Sequence, residues 1–294
     1  MDTKDLIAQV RTLEFATRKN VSDLFAGNYK SSFKGKGIEF FEVREYAEGD
    51  EIRDIDWNVT AREGKPFVKK YTETRELTTM LAVDGSGSLL SGSRGMLKKD
   101  LLLRFCAAIA FSAMKNNDNI GLIIFSDAIE TYVPPAKGRK HMLRILRDLT
   151  EYNFSGKKTD YALAFTHVSK AIKKSALCFF VSDFLEPMDS YLQRIKVANA
   201  RHDLIIVQLR DALDRAIPNM GLIAFEDGET GERYVVNAHS ERLVKLYERA
   251  QERLFDENKK LLQKFRVASI EIATNENLYH TLFLFFKRRQ HALR

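Results

Sequence analysis

The chain has 294 residues, of which 45% are hydrophobic and 30% charged. That is the composition of an ordinary globular protein with enough length for a substantial core, and it excludes disordered, collagen-like and coiled-coil architectures. Lys and Arg total 47 against 40 Asp and Glu, for a net charge of +7, a modest basic excess that favours acidic partners without requiring nucleic acid.

In chain order, the amphipathic spacing of Leu6, Val10, Leu13 and Phe15 predicts a helix over 1–20. This segment has neither the continuous apolar run nor the small-residue cleavage site of an export signal. Residues 21–76 mix Gly, Phe, Tyr and charged side chains in short extended runs parted by turn signals, which predicts a small β-rich N-terminal subdomain. The region 77–294 reads as the main domain. It opens with a strand LTTMLAVD, a helix over 98–115, and a strand IGLIIFSD with a pairing strand IETYVP. Helices near 140–151 and 160–173, a strand ALCFFVSD, a helix near 190–199 and a strand DLIIVQL follow. Strands dense in Val, Ile and Leu that alternate with helices predict an α/β fold with a doubly wound, mostly parallel sheet, covered on both faces. A hairpin at 221–236, a long charged helix over 240–265, a strand VASIEIA and a last helix complete the domain. That last helix is expected to pack its apolar turn on the sheet and leave its basic end in water. Cys106 and Cys178 lie inside apolar runs, where a free thiol behaves as a small hydrophobe. That usage fits a reducing compartment, and no apolar run is long enough to span a bilayer. The expected location is the cytoplasm.

In doubly wound folds, ligands gather beyond the carboxyl ends of the strands. The first strand ends in Asp84-Gly85-Ser86-Gly87-Ser88, Thr159 lies in the loop before a helix, and the strand ALCFFVS runs into Asp183. These are two carboxylates and three hydroxyls on different loops of one sheet edge. All are hard oxygen donors, suited to a small hard cation such as Mg²⁺, with Mn²⁺ or Ca²⁺ as alternatives. The glycines between the donors let the backbone turn sharply enough for alternate side chains to face one point. Zinc is not favoured, because neither cysteine has a Cys or His at ligand spacing. A second reading makes Asp84, Ser86 and Ser88 a plain turn that caps the next helix. Asp183 could equally be a helix cap, and Asp160, beside Thr159, reads as a cap more readily than as a ligand. A phosphate loop lacks its Gly-Lys-Ser/Thr ending.

The Asp84-x-Ser86-x-Ser88 series with Thr159 and Asp183 resembles the metal-ion-dependent adhesion site of von Willebrand factor A domains. The preceding segment is similar to that of the MoxR-associated von Willebrand A-like proteins, the family called domain of unknown function 58. It carries Gly35, Gly37, Glu39, Phe40, Arg44, Tyr46, Gly49, Asp50, Arg53, Ile55, Asp56, Trp57, Ala61 and Arg62. The resemblance covers roughly 27–236 and implies a von Willebrand A-type, Rossmann-like fold. It also implies a non-catalytic, Mg²⁺-dependent protein-binding module that works with a MoxR-type AAA+ ATPase or its client. Hydroxyls that touch the ion directly, with Asp84 and Asp183 acting partly through water, would leave the metal an open position for a partner's carboxylate. Lys157 and Lys158 would add local attraction for that acidic partner, with Asp160 beside them. The arrangement requires that the five side chains converge and that no lysine ammonium takes the place of the ion.

The enzymatic alternative is a Mg²⁺-dependent phosphoester hydrolase or nuclease built on Asp84 and Asp183. Against it, no second carboxylate follows Asp84 two residues on, no histidine lies near the site in sequence, and Asp160 is the sole candidate base. Nucleic-acid binding lacks a clustered basic stripe and a recognised motif. The residues Arg44, Asp50, Arg53, Asp56, Trp57 and Arg62 are expected to form an ion-pair network around a tryptophan anchor that holds the β-rich layer to the main domain.

Overall fold

The computed structural model describes residues 39–47, 50–72, 77–93, 95–154, 158–218, 221–226 and 232–292. The expected helix over 1–20 lies outside them. The chain divides into two compact units, one within 34–76 and the other containing 77–294.

In the smaller unit, strands β1 (Glu39–Glu45) and β2 (Phe67–Thr72) pair antiparallel, and a helix α1 (Trp57–Glu63) lies between them in sequence. This helix departs from the expectation of extended runs alone. Trp, Asn, Val and Thr are indifferent helix formers, so its signal lies in its ends. The Asp56 carboxylate accepts from the backbone N–H groups of Asn58 and Val59, and Gly64 closes the helix in the left-handed conformation at φ 70°. The motif residues of this unit do local work. Arg44 pairs with Asp50 at 2.7 Å, and Asp50 also accepts from the N–H of Ala47. Trp57, expected to be an anchor, begins α1 and is 65% exposed.

The larger unit is built on a six-stranded sheet. Its elements are β3 (Thr78–Asp84), α2 (Lys98–Lys115), β4 (Asn119–Phe125), β5 (Ile129–Ala136), α3 (Arg139–Glu151), α4 (Tyr161–Ala171) and β6 (Leu177–Ser182). They continue with α5 (Leu192–Arg201), β7 (Asp203–Arg210), the ribbon β8 (Leu222–Glu226) and β9 (Arg233–Asn237), α6 (Glu241–Lys264), β10 (Ala268–Ala273) and α7 (Leu278–Ala292). The sheet order is β10-β7-β6-β3-β4-β5, parallel throughout except for β5, which pairs antiparallel with β4. The expected α/β architecture is present: a doubly wound, mostly parallel sheet.

Period-two alternation sends side chains of each strand into two cores. Leu81 and Val83 of β3 join the core filled by α2, α3 and α7, through residues such as Phe105, Ile145 and Phe286. Met80 and Ala82 join the opposite core, filled by α4, α5 and α6 through Phe165, Ile195 and Leu262. Both cysteines are buried and unpaired, and burial raises both thiol pKa values well above the ordinary range, so they act as hydrophobes. The apolar turn of α7 packs as expected, with Leu282 and Phe286 buried and Lys287 exposed. Among the described residues no helix is long and apolar enough to cross a membrane.

This topology places the site. The chain leaves β3 towards β4 on one side and returns, after the β4–β5 pair and two helices, to β6 on the other. Strand order therefore reverses at β3, which opens a crevice at its carboxyl end. In the second core, Phe180 of β6 stacks on Phe165 of α4 with ring centroids 3.9 Å apart, and both rings are fully buried. Phe180→Ala is predicted to cost about 3–5 kcal/mol, read by urea unfolding; a loss below about 1 kcal/mol would contradict the packing described.

Candidate functional site

Asp84 is the last residue of β3, and its side chain is completely buried. The turn that follows is tight. Gly85 donates its N–H to the Phe125 carbonyl at 2.7 Å, and a Cβ at this position would lie 2.5 Å from the Tyr152 hydroxyl, so only glycine fits without moving that ring. Ser86 N–H then donates to Asp84 Oδ1 at 2.9 Å, and the Ser86 and Ser88 hydroxyls lie 3.0 Å apart. Thr159 comes from the loop before α4, whose position is fixed by the Asp160 N–H bond to the Ser126 carbonyl at 2.8 Å. Its hydroxyl is 3.4 and 3.5 Å from the two Asp84 oxygens. From β6, Ser182 donates to Asp84 Oδ2 at 2.6 Å and shares a 2.8 Å hydrogen bond with the Tyr161 hydroxyl.

Every hydrogen-bond donor on Asp84 is thus uncharged, and among the described residues no cation pairs with it. Burial, and then the neighbouring Asp183 carboxylate, push the Asp84 pKa up to about 7, while the bonds from Ser182 and Ser86 offset part of the rise. Of the sequence-predicted set, Ser86 and Thr159 therefore meet at Asp84, Ser88 joins through Ser86, and Asp183 is close enough to act on Asp84 electrostatically.

Asp183 carries a feature the sequence reading did not assign. Lys98, the first residue of α2, places its Nζ 2.9 Å from Asp183 Oδ2 and 2.8 Å from Asp214 Oδ1. Its side chain is 1% exposed. Burial works against the ammonium, but Asp183 and Asp214 outweigh it and hold the Lys98 pKa above that of an ordinary lysine. A lysine ammonium does enter this region, contrary to expectation, yet its bonds go to Asp183 and Asp214 and not to Asp84. The turn after Asp183 is unusual as well. Phe184 has a φ of 47°, a costly conformation for an aromatic residue, and it is held there by stacking on Tyr161 at 5.0 Å. The Asp183 carbonyl accepts from the buried Arg210 guanidinium.

Asp160 caps α4, accepting from Leu163 N–H at 2.8 Å, and remains exposed. Lys158 is exposed; its charge reaches Glu186, whose pKa is raised by burial and by Asp183 and pulled back by Lys158. Lys157 lies outside the described residues. Ser182, Tyr161, Lys98, Asp214 and Arg210 escaped the sequence reading. Two of them had a signal: Ser182 is the one polar side chain in an apolar strand, and Lys98 puts a positive charge in the first turn of a helix, where the dipole disfavours it.

A family model described as protein of unknown function DUF58 matches residues 42–255. The chain belongs to this family. The chain is also similar to the uncharacterized protein Rv1480 of Mycobacterium tuberculosis, 31% identical over 233 residues that span 79% of this chain and 73% of that protein. Among solved structures, an aerotolerance-related membrane protein from Bacteroides fragilis superposes with a TM-score of 0.50 at 12% identity, over 74% of this chain and 99% of that one. The SpRpn10 VWA domain is similar over 71% of this chain and 94% of its own length, at 13% identity and a TM-score of 0.40. These structural likenesses concern the fold alone. The DUF58 chain combines a doubly wound, mostly parallel α/β fold with an oxygen-rich cluster at its sheet edge. Among the described residues no group of three or more His, Cys, Asp or Glu is placed to hold a metal, so any ion here would depend on hydroxyl donors.

Those donors fit a hard cation. Asp84 is a buried carboxylate whose charge lacks compensation, and three hydroxyls surround it, the donor types that small divalent ions accept. Asn at position 84 would remove the charge, and the Tyr161–Ser182 pair could reverse its donors to receive the amide. Asp84→Asn is predicted to stabilise the protein in chelator by on the order of 1–3 kcal/mol, measured by chemical denaturation. Destabilisation of similar size would show that the carboxylate is already compensated.

Proposed function

We propose that this DUF58 protein is a non-catalytic, Mg²⁺-dependent protein-interaction module of the cytoplasm. Asp84, Ser86, Ser88 and Thr159 hold the ion, Asp183 acts on it through space from its place on Lys98, and an acidic side chain from another protein completes its coordination. Mn²⁺ or Ca²⁺ can take the same donors. The reading is carried by one observation: Asp84 is fully buried, contacted only by neutral donors, and set among the hydroxyls of Ser86 and Thr159. A buried charge in that state is costly unless something positive joins it.

When bound, a magnesium ion supplies a centre of positive charge that attracts and orients a carboxylate. The chain's own residues do the rest. Asp84 provides the negative charge that draws the cation in. Ser86, Ser88 and Thr159 offer oxygens that coordinate without neutralising. Ser182 and Tyr161 fix the Asp84 carboxylate from beneath, and Tyr152 fills the space over Gly85. The exposed Lys158 adds long-range attraction for an acidic partner, an effect that weakens with salt. Asp160 holds the Thr159 loop by capping α4 and stays accessible at its edge. Together with the family resemblance, this supports a MoxR-type AAA+ ATPase, or a client of one, as the partner.

The test is direct binding of the purified chain to a purified MoxR-type ATPase from the same cells, in magnesium and in chelator. Wild type should bind in Mg²⁺ and lose at least about tenfold in affinity in chelator, Asp84→Ala in Mg²⁺ should bind as weakly as wild type does in chelator, and neither form should cleave model phosphoesters or single-stranded DNA. Equal binding under all conditions would overturn the metal-dependent reading, and cleavage that depends on Asp84 would replace it with a hydrolase.

A further inference from the structure

Lys98 occupies a position that neither helix propensity nor hydrophobicity explains. A cation in the first turn opposes the positive end of the helix dipole, and complete burial adds a desolvation cost. Two carboxylates hold it there, Asp183 from the end of β6 and Asp214 from the turn after β7. Each carboxylate is itself fixed. Asp214 Oδ2 accepts from Asp211 N–H at 2.8 Å, and the Asp211 carboxylate accepts from the backbone and hydroxyl of Ser93 and from the hydroxyl of Thr274. The backbone beside the Asp183 carboxylate is held by Arg210, whose guanidinium lies 4.1 Å over the Phe255 ring of α6. The ammonium therefore sits in a rigid frame at the same sheet edge as Asp84.

We propose that Lys98 sets the affinity of the site for its divalent ion, as a permanent internal counter-cation that draws Asp183 to itself and leaves Asp84 as the one carboxylate facing the hydroxyls of the site. The inference rests on the metal reading given above. Two free carboxylates facing one divalent ion would bind it tightly and cancel its charge. With Asp183 turned to Lys98, one carboxylate fewer bears directly on the ion, which is held less tightly and keeps more of its positive charge, the condition under which a carboxylate from outside is attracted. Ion and acidic partner then strengthen each other's binding, because each supplies charge the other lacks. Lys98 is in this sense a positioning residue: it touches neither partner nor the Asp84 carboxylate, and acts through Asp183.

The experiment is calorimetric titration of the full chain with magnesium chloride alone, for wild type, Lys98→Met and the double variant Lys98→Met/Asp214→Asn. The single variant leaves two buried carboxylates without their ammonium and is expected to lose much of its stability. The double variant removes one charge of each sign and keeps the net charge, and its amide oxygen can still accept from Asp211 N–H. Asp183 is then released to the ion, and the Mg²⁺ dissociation constant of the double variant is expected to fall about tenfold or more relative to wild type. A merely structural lysine would leave that constant unchanged or raise it, and either result in a folded double variant overturns the assignment of Lys98. Absence of Mg²⁺ binding in wild type and double variant alike overturns the metal reading itself, and with it this inference.

Discussion

A carboxylate that is fully buried and receives only neutral hydrogen bonds is the constraint on which this site depends. Asp84 stands at the end of the central strand, at the point where strand order reverses, and its charge has no cation beside it among the described residues. The fold tolerates this because everything around Asp84 is fixed by other means. The strand ladder with β4 and β6, the Gly85 turn under Tyr152 and the Tyr161–Ser182 relay all hold the site whether or not the charge is compensated. The hydrophobic cores on the two sheet faces supply the stability that allows such a cost at the edge.

The buried carboxylates at this edge have different fates. Asp183 and Asp214 share Lys98, while Asp84 has hydroxyls. A single ammonium shared by Asp183 and Asp214 divides the edge, among the described residues, into a part that holds a cation and a part, around Asp84, that holds none. A buried pair of this kind contributes little net stability, because its attraction is offset by desolvation. Its effect is on geometry and local charge: it holds the ends of β6 and β7 against the start of α2 and leaves Asp84 as the place where a cation gains most.

Much of this was legible in the sequence, and the parts that were not have physical causes. The strands of the larger unit are dense in β-branched and aromatic residues and the helices have clear apolar faces, so element type and order followed from periodicity. The oxygen donors of the site were visible because they lie directly after strands, where a doubly wound fold must bring them together. Helix α1 was not visible, since Trp57, Asn58, Val59 and Thr60 have little helical preference and the caps at Asp56 and Gly64 decide it. Lys98 was read as an ordinary helix residue, because a pairing with Asp183 and Asp214 joins positions distant in the chain and leaves no periodic trace. The one available hint was its sign at a helix N-terminus. Trp57 shows the opposite case: a large aromatic residue suggested an anchor, and the structure leaves it exposed.

The most direct test of the central claim is a crystal of the chain grown in manganese and measured for anomalous scattering. The account predicts a single strong peak bounded by the side-chain oxygens of Asp84, Ser86, Ser88 and Thr159, with Lys98 still on Asp183 and Asp214. Absence of a peak at this edge in crystals saturated with manganese, or a Lys98 ammonium moved onto Asp84 in its place, would contradict it.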